Sequence, residues 1–256
     1  MTYWPEDAPP YMNGFTTPLL QSAASPAITR RLLEAGANPD GHDDYGTTPL
    51  MKATEKVAEL LLDKGAKIDA RDHEGMTPLM HRAIYNDFAA VQVLLKYRAD
   101  VNARDNFSQT VLMAANEVNS AELPTTKNQV NVLEMLIAHG ATINAHDDAG
   151  QTALMAATFV PYGEGAVCNP VFAQVLLRHG ADPNACDNKG NTTLMLLVAA
   201  IDDIGYEPGD PVLFAKLLLW RGARLDLKNK AGKTALQIAE KYRAKTLARL
   251  FRDWKI

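Results

Sequence analysis

The 256-residue sequence predicts an all-α fold built from short stacked units, a repeat solenoid with no separate catalytic domain. Three recurrent signals carry this reading. A T-x-L block appears seven times, at Thr17-Pro18-Leu19, Thr48-Pro49-Leu50, Thr77-Pro78-Leu79, Thr110-Val111-Leu112, Thr152-Ala153-Leu154, Thr192-Thr193-Leu194 and Thr234-Ala235-Leu236. Between copies runs an apolar stretch closed by Gly-Ala, as in Leu60-Leu61-Leu62 with Gly65-Ala66 and Leu176-Leu177 with Gly180-Ala181. Five residues before six of the threonines stands Asp43, Asp72, Asp105, Asp147, Asp187 or Asn229.

Each signal has a local physical reason. The Asp or Asn side chain can hydrogen-bond its own backbone two residues on, which shapes a tight turn. Threonine is a good helix N-cap, and proline directly after it is pre-set for the first helical turn. The glycine of Gly-Ala suits a left-handed helix C-cap. The third copy has Arg98-Ala99 there, so its cap is either strained or built differently. A helix pair this small cannot bury its own apolar face, so stacking has to supply the core.

The pattern D-x-x-G-x-T-P-L, a helix pair, then L-L-x-x-G-A resembles the ankyrin repeat family. The resemblance covers about residues 13–256. It implies an ankyrin-repeat solenoid of stacked helix-turn-helix units with β-hairpin fingers between them. The repeats fall near 13–42, 43–71, 72–104, 105–146, 147–186, 187–228 and 229–256, in a single domain. Residues 1–12 form an N-terminal tail. Its Tyr3, Trp4 and Tyr11 suit folding back over the first repeat's apolar edge, and a free interaction tail is the rival reading. The first and last repeats act as caps, the last with a charged outer face.

The spacings between successive Asp or Asn positions are 29, 33, 42, 40 and 42 residues. The repeat at Asp43 is short, so its first helix and inter-helix turn should be minimal. The next-but-one repeat and the two after it are long. Their surplus falls between the paired helices, at about 117–129, 159–170 and 201–211, and holds helix breakers such as Pro124, Pro161, Gly163, Pro170, Pro208 and Pro211. Three insertions at one structural position should project as a ridge, either a binding feature or tolerated surface loops.

Composition sets the outer limits. Two cysteines cannot frame a disulfide scaffold, and no apolar run reaches the roughly 18–20 residues that span a bilayer. The N-terminus has neither the basic nor the apolar region of a secretory signal. The expectation is a cytoplasmic protein. The net charge of −4 conceals an asymmetry: residues 1–220 hold 15 Lys/Arg against 27 Asp/Glu, and residues 221–256 hold 11 against 3. An acidic body favours a basic partner and opposes nucleic acid. The basic end lacks interleaved aromatics, so a solvated cap face explains it and nucleic acid is not the expected partner.

The search for chemistry finds little. His42-Asp43-Asp44 and His146-Asp147-Asp148 occupy equivalent turns three repeats apart and should not converge. His139 and His179 have no further ligands in sequence to complete a zinc site. Cys168 and Cys186 lack a paired base at nucleophile spacing. With no phosphate-binding glycine loop and no nucleophile elbow, the expectation is no enzyme, no metal and no cofactor. Met51, Met80, Met113, Met155 and Met195 sit three residues after the repeat threonines, a register that argues for packing between repeats rather than an adaptable groove. Asn102 resembles the asparagine that ankyrin repeats present to an oxygen-dependent hydroxylase, though its plainer role is a turn residue.

In the family this chain resembles, partners meet the finger tips and the exposed ends of the first helices. Carried over by position, the finger residues are Asp44 and Tyr45, then His73, Glu74 and Met76, then Asn106, Phe107 and Gln109, then Asp148. The helix-end residues are Tyr85, Glu117 and Phe159. Large aromatics ringed by acidic and amide groups make good interface anchors. The expected function is a non-enzymatic protein-protein interaction module, binding another protein with a basic surface through its concave finger surface and inter-helix insertions. It would be monomeric when free and independent of membranes. A specific version is an inhibitor, such as an immunity protein neutralising a toxin. The rival is a scaffold or adaptor that brings two partners together.

Overall fold

A computed structural model describes residues 24–116, 127–162, 165–200 and 210–254, and for 160–167 it describes main chain only. The chain forms two compact units, one of residues up to 82 with 89–100, the other of residues 83–88 with 101 onwards.

In the first unit lie α1 (Pro26–Glu34), α2 (Pro49–Lys52) and α3 (Glu55–Asp63), with most of α4 (Pro78–Ile84) and α5 (Phe88–Lys96). As the short repeat requires, α2 is four residues long and only Ala53 and Thr54 separate it from α3. α3 packs on both α1 and α2. Its inward residues Val57, Ala58 and Leu61 are buried, as are Leu50, Met51, Leu79, Met80 and Leu94.

Two helical layers make up the second unit. The first helices of successive repeats, α6 (Val111–Ala114), α8 (Ala153–Ala156), α10 (Thr193–Ala200) and α12 (Ala235–Lys241), pack in sequence. So do the second helices, α7 (Lys127–Ala138), α9 (Pro170–Arg178), α11 (Pro211–Trp220) and α13 (Lys245–Asp253). Phe172 and Phe214 are the largest side chains fully enclosed there. Met113, Met155 and Met195 are buried too, so all five methionines of the ladder serve as core.

Helix ends follow the sequence signals with two refinements. At Leu32–Ala37 the Ala37 N–H donates to Leu32 O and the Gly36 N–H to Leu33 O, and the same pair of bonds closes every later Gly-Ala site. This is a Schellman C-cap, and it satisfies carbonyls that a helix end would otherwise orphan. Arg98 builds the same cap, at φ +67°. The threonine N-caps are less uniform. Thr77, Thr152 and Thr234 accept a hydrogen bond from the third helical residue, but the hydroxyls of Thr48, Thr110 and Thr192 are buried without a partner among the described residues.

The insertions are only partly as expected. In the second insertion β1 (Val160–Tyr162) pairs antiparallel with β2 (Gly165–Val167), in place of the expected plain loop. Pro170 and Pro211 do not break helices; they start them. Each is the first helical residue, and Asn169 or Asp210 caps it through the N–H of Phe172 (3.0 Å) or Leu213 (2.9 Å). Lys127–Gln129 belongs to α7, which begins two residues before the position matching Asn169. Residues 1–23, 117–126 and 201–209 lie outside the described residues, and with them the expected tail and the other two insertions.

Candidate functional site: the finger tips

Each finger is closed by a single side-chain oxygen. Asp43 Oδ1 accepts from the N–H groups of Tyr45 (3.0 Å) and Thr47 (2.9 Å). Asp72, Asp105, Asp147 and Asp187 repeat this with the residues two and four positions on. The Asp N–H donates to the carbonyl oxygen of the fifth residue and completes the turn, and the fourth residue is left-handed. That fourth residue is Gly in five fingers and Ser108 in the third, at φ +61°. Burial raises the pKa of the Asp43 carboxyl, but the Thr47 and Tyr45 N–H groups and the Lys52 ammonium outweigh it and hold the group below its ordinary value. Asp72 also takes His81 Nε2 on its second oxygen, at 2.7 Å.

Within each unit, adjacent fingers are joined by their backbones. The His73 N–H donates to Tyr45 O in the first unit. In the second, Asp148 donates to Phe107 O, Asn188 to Ala149 O and Lys230 to Lys189 O. The approach is close: a Cβ on Gly150 would lie 2.7 Å from the Asn188 nitrogen.

A second device links repeats just beyond the C-caps. Asn102 accepts from the Thr142 N–H (2.8 Å) and donates to Gly140 O (3.0 Å). Asn144 and Asn184 do the same to the following repeats, while Asp40 and Asp69 make the accepting half alone. Asn102 is therefore a clamp between repeats, more than a turn residue. Sequence reading missed this clamping role because the partners lie 27–40 residues away.

The turn geometry leaves the tips to solvent. Asp44 and Tyr45, His73 and Glu74, Asn106 and Phe107, and Asp148 are all exposed, with Tyr45 at 77% and Phe107 at 61%. Met76 and Gln109 are half-buried, because each sits at the base of its turn with its N–H on the finger Asp. Tyr85 and Phe159 are exposed just past the ends of α4 and α8. Glu117 lies outside the described residues.

His179 Nε2 is 2.6 Å from Glu134, and His139 Nδ1 is 2.8 Å from Met135 O. Burial pushes the Cys168 thiol up to about 11, and burial also raises Cys186, next to Asp187. Among the described residues no group of three or more His, Cys, Asp and Glu side chains could hold a metal ion. No helix among them is long and apolar enough to cross a membrane.

Helix pairs with Schellman ends, joined through backbone-paired fingers, define the class: a helical repeat protein. Family models agree. The model "Ankyrin repeats (3 copies)" matches residues 6–72 and 56–124, and "Ankyrin repeat" matches 149–188. The chain belongs to the ankyrin repeat family, whose members generally mediate protein–protein interaction. Its fold is similar to the solved ankyrin repeat domain of Bcl-3, a member of the IkappaB protein family. The TM-score is 0.70 and the identity 22%, over 93% of this chain and 98% of that one. No curated protein matches the chain in sequence.

Proposed function

We propose that the chain is a non-enzymatic binding module that holds a partner protein on its finger tips and first-helix ends. The observation that carries this is the exposure of four large aromatics, Tyr45, Tyr85, Phe107 and Phe159, at these positions, while the five repeat methionines are buried. Aromatics spread contact area over few rotatable bonds and dominate interface hot spots. Asp44, Glu74 and Asp148 stand on the tips around them, which favours a partner with a basic surface.

In its specific form the module is a cytoplasmic inhibitor, monomeric when free, that occludes its partner's working surface as an immunity protein occludes a toxin. A scaffold that joins two partners is the rival, and stoichiometry separates them. Affinity capture from the native host with mass spectrometry should yield one dominant partner in a one-to-one complex. Changing Tyr45, Tyr85 and Phe107 singly to Ala should each weaken that complex, at least one of them by about 2 kcal/mol or more. Unchanged affinity in all three would remove the finger surface from consideration. Ternary complexes would favour the scaffold, and failure to inhibit a toxin encoded alongside would end the immunity version.

A further inference from the structure

The last two fingers differ from the rest in charge. Lys189 is on the tip of the fifth, Lys230 is on the tip of the sixth, and Lys228 and Lys233 flank the sixth turn. All four are exposed, and none makes an ion pair with a described residue. The bond from the Lys230 N–H to Lys189 O, 3.0 Å, sets the two tip lysines side by side. Gly190 permits this approach, since a Cβ there would lie 2.9 Å from the Lys230 nitrogen.

The turn chemistry changes at the same place. Asn229 replaces the aspartate of the five preceding fingers. Its Oδ1 still accepts from the N–H groups two and four residues on, at 3.1 and 3.0 Å, and its Nδ2 donates to Asn191 Oδ1 at 2.8 Å. The turn needs one acceptor oxygen, and amide or carboxylate supplies it. The exchange keeps the geometry and removes a negative charge beside Lys228, Lys230 and Lys233, so Asp187 is the one finger carboxylate left beside the four lysines. Like charges clustered in excess of their counter-ions repel one another, and a bound anion relieves that repulsion.

From this we infer that the tips of the fifth and sixth fingers form a cationic site for an acidic, Asp/Glu-rich segment of a partner protein. The inference rests on the reading of the fingers as a binding surface and adds a second kind of contact to it. Peptide rather than nucleic acid is favoured because neither finger, 187–192 or 228–234, carries an aromatic residue on which a base could stack.

The test is fluorescence anisotropy on the full chain with a labelled oligoglutamate of about ten residues, long enough to cross two fingers about 5 Å apart. A single-stranded oligonucleotide of equal length is the competing probe. The wild type should bind the oligoglutamate, more weakly as salt rises from about 0.05 M to about 0.5 M. The triple variant K189E/K230E/K233E should lose about tenfold or more in affinity. The charge-matched K241E/K245E/R249E, on α12 and α13, should lose less than about twofold. Circular dichroism melts confirm that both variants fold. Three results would overturn the proposal: no binding by the wild type, equal losses in the two triples, or tighter binding of the oligonucleotide. Because the probe is not the native partner, the two failures are distinguishable: a null result for the aromatic variants would remove the aromatic anchors, and absent oligoglutamate binding would remove the cationic site.

Discussion

Arg98 and Ser108 hold left-handed backbone that the other repeats assign to glycine. An L side chain in that region costs roughly 1–2 kcal/mol, part of which glycine's greater freedom in the unfolded chain would take back. Arg98→Gly and Ser108→Gly should each therefore stabilise the protein, by about 0.5–1 kcal/mol in urea titration. Not every glycine is held for one reason. Around Gly36 a Cβ would meet nothing within 4 Å, so only its φ of +87° requires glycine. At Gly150 both conditions apply, because φ is +77° and the neighbouring finger's backbone is 2.7 Å from the missing Cβ. Gly150→Ala should thus cost more than Gly36→Ala, at least about 2 kcal/mol against about 1. Equal losses would mean that the fingers separate easily.

At the scale of elements, a buried polar chain ties the second helices together. Gln129 Nε2 donates to Ala115 O at 3.0 Å, and Asn169 Nδ2 donates to Gln129 Oε1 at 3.3 Å. The Asn169 N–H also donates to Ala157 O, and its Oδ1 caps α9. Asn169→Ala removes a cap and strands a buried acceptor, so it should destabilise by about 2 kcal/mol or more. Asn169→Ser keeps a capping oxygen without burying a charge and should lose less; chemical denaturation separates the two. The helix ends, the short α2 and the finger turns were legible in sequence, because Thr-Pro, Gly-Ala and the finger Asp act within five residues of themselves. The tip aromatics were legible by register alone. The extension of α7 was not, since nothing in Lys127-Asn128-Gln129 marks a start and Gln129 finds its partners only in the fold. Nor was the β1–β2 pair, whose Pro161 and Gly165 read as breakers in a segment too short for strand periodicity. The lysines of the last finger read as a solvated cap face until Asn229 was seen to keep the turn while giving up its charge.

For the whole molecule, charge is the quantity that composition hides. A balance of 15 cationic to 27 anionic residues before position 221, and of 11 to 3 after it, gives the chain two electrostatic characters. Capture of a basic partner should accordingly be a rate effect. Raising salt from about 0.05 M to about 0.5 M should slow association several-fold and leave dissociation nearly unchanged, as surface plasmon resonance would record. Salt-insensitive association would argue that the aromatics act alone. The likeness to the Bcl-3 repeat domain at 22% identity concerns the fold alone. One oxygen and the main chain hold each finger turn, so most of its shape does not depend on which pair of side chains stands at the crest, although Asn188 Nδ2 donates to Asp148 O in the neighbouring finger. Evolution, or a combinatorial library, can overwrite those pairs one at a time and try new specificities on a frame that keeps its shape.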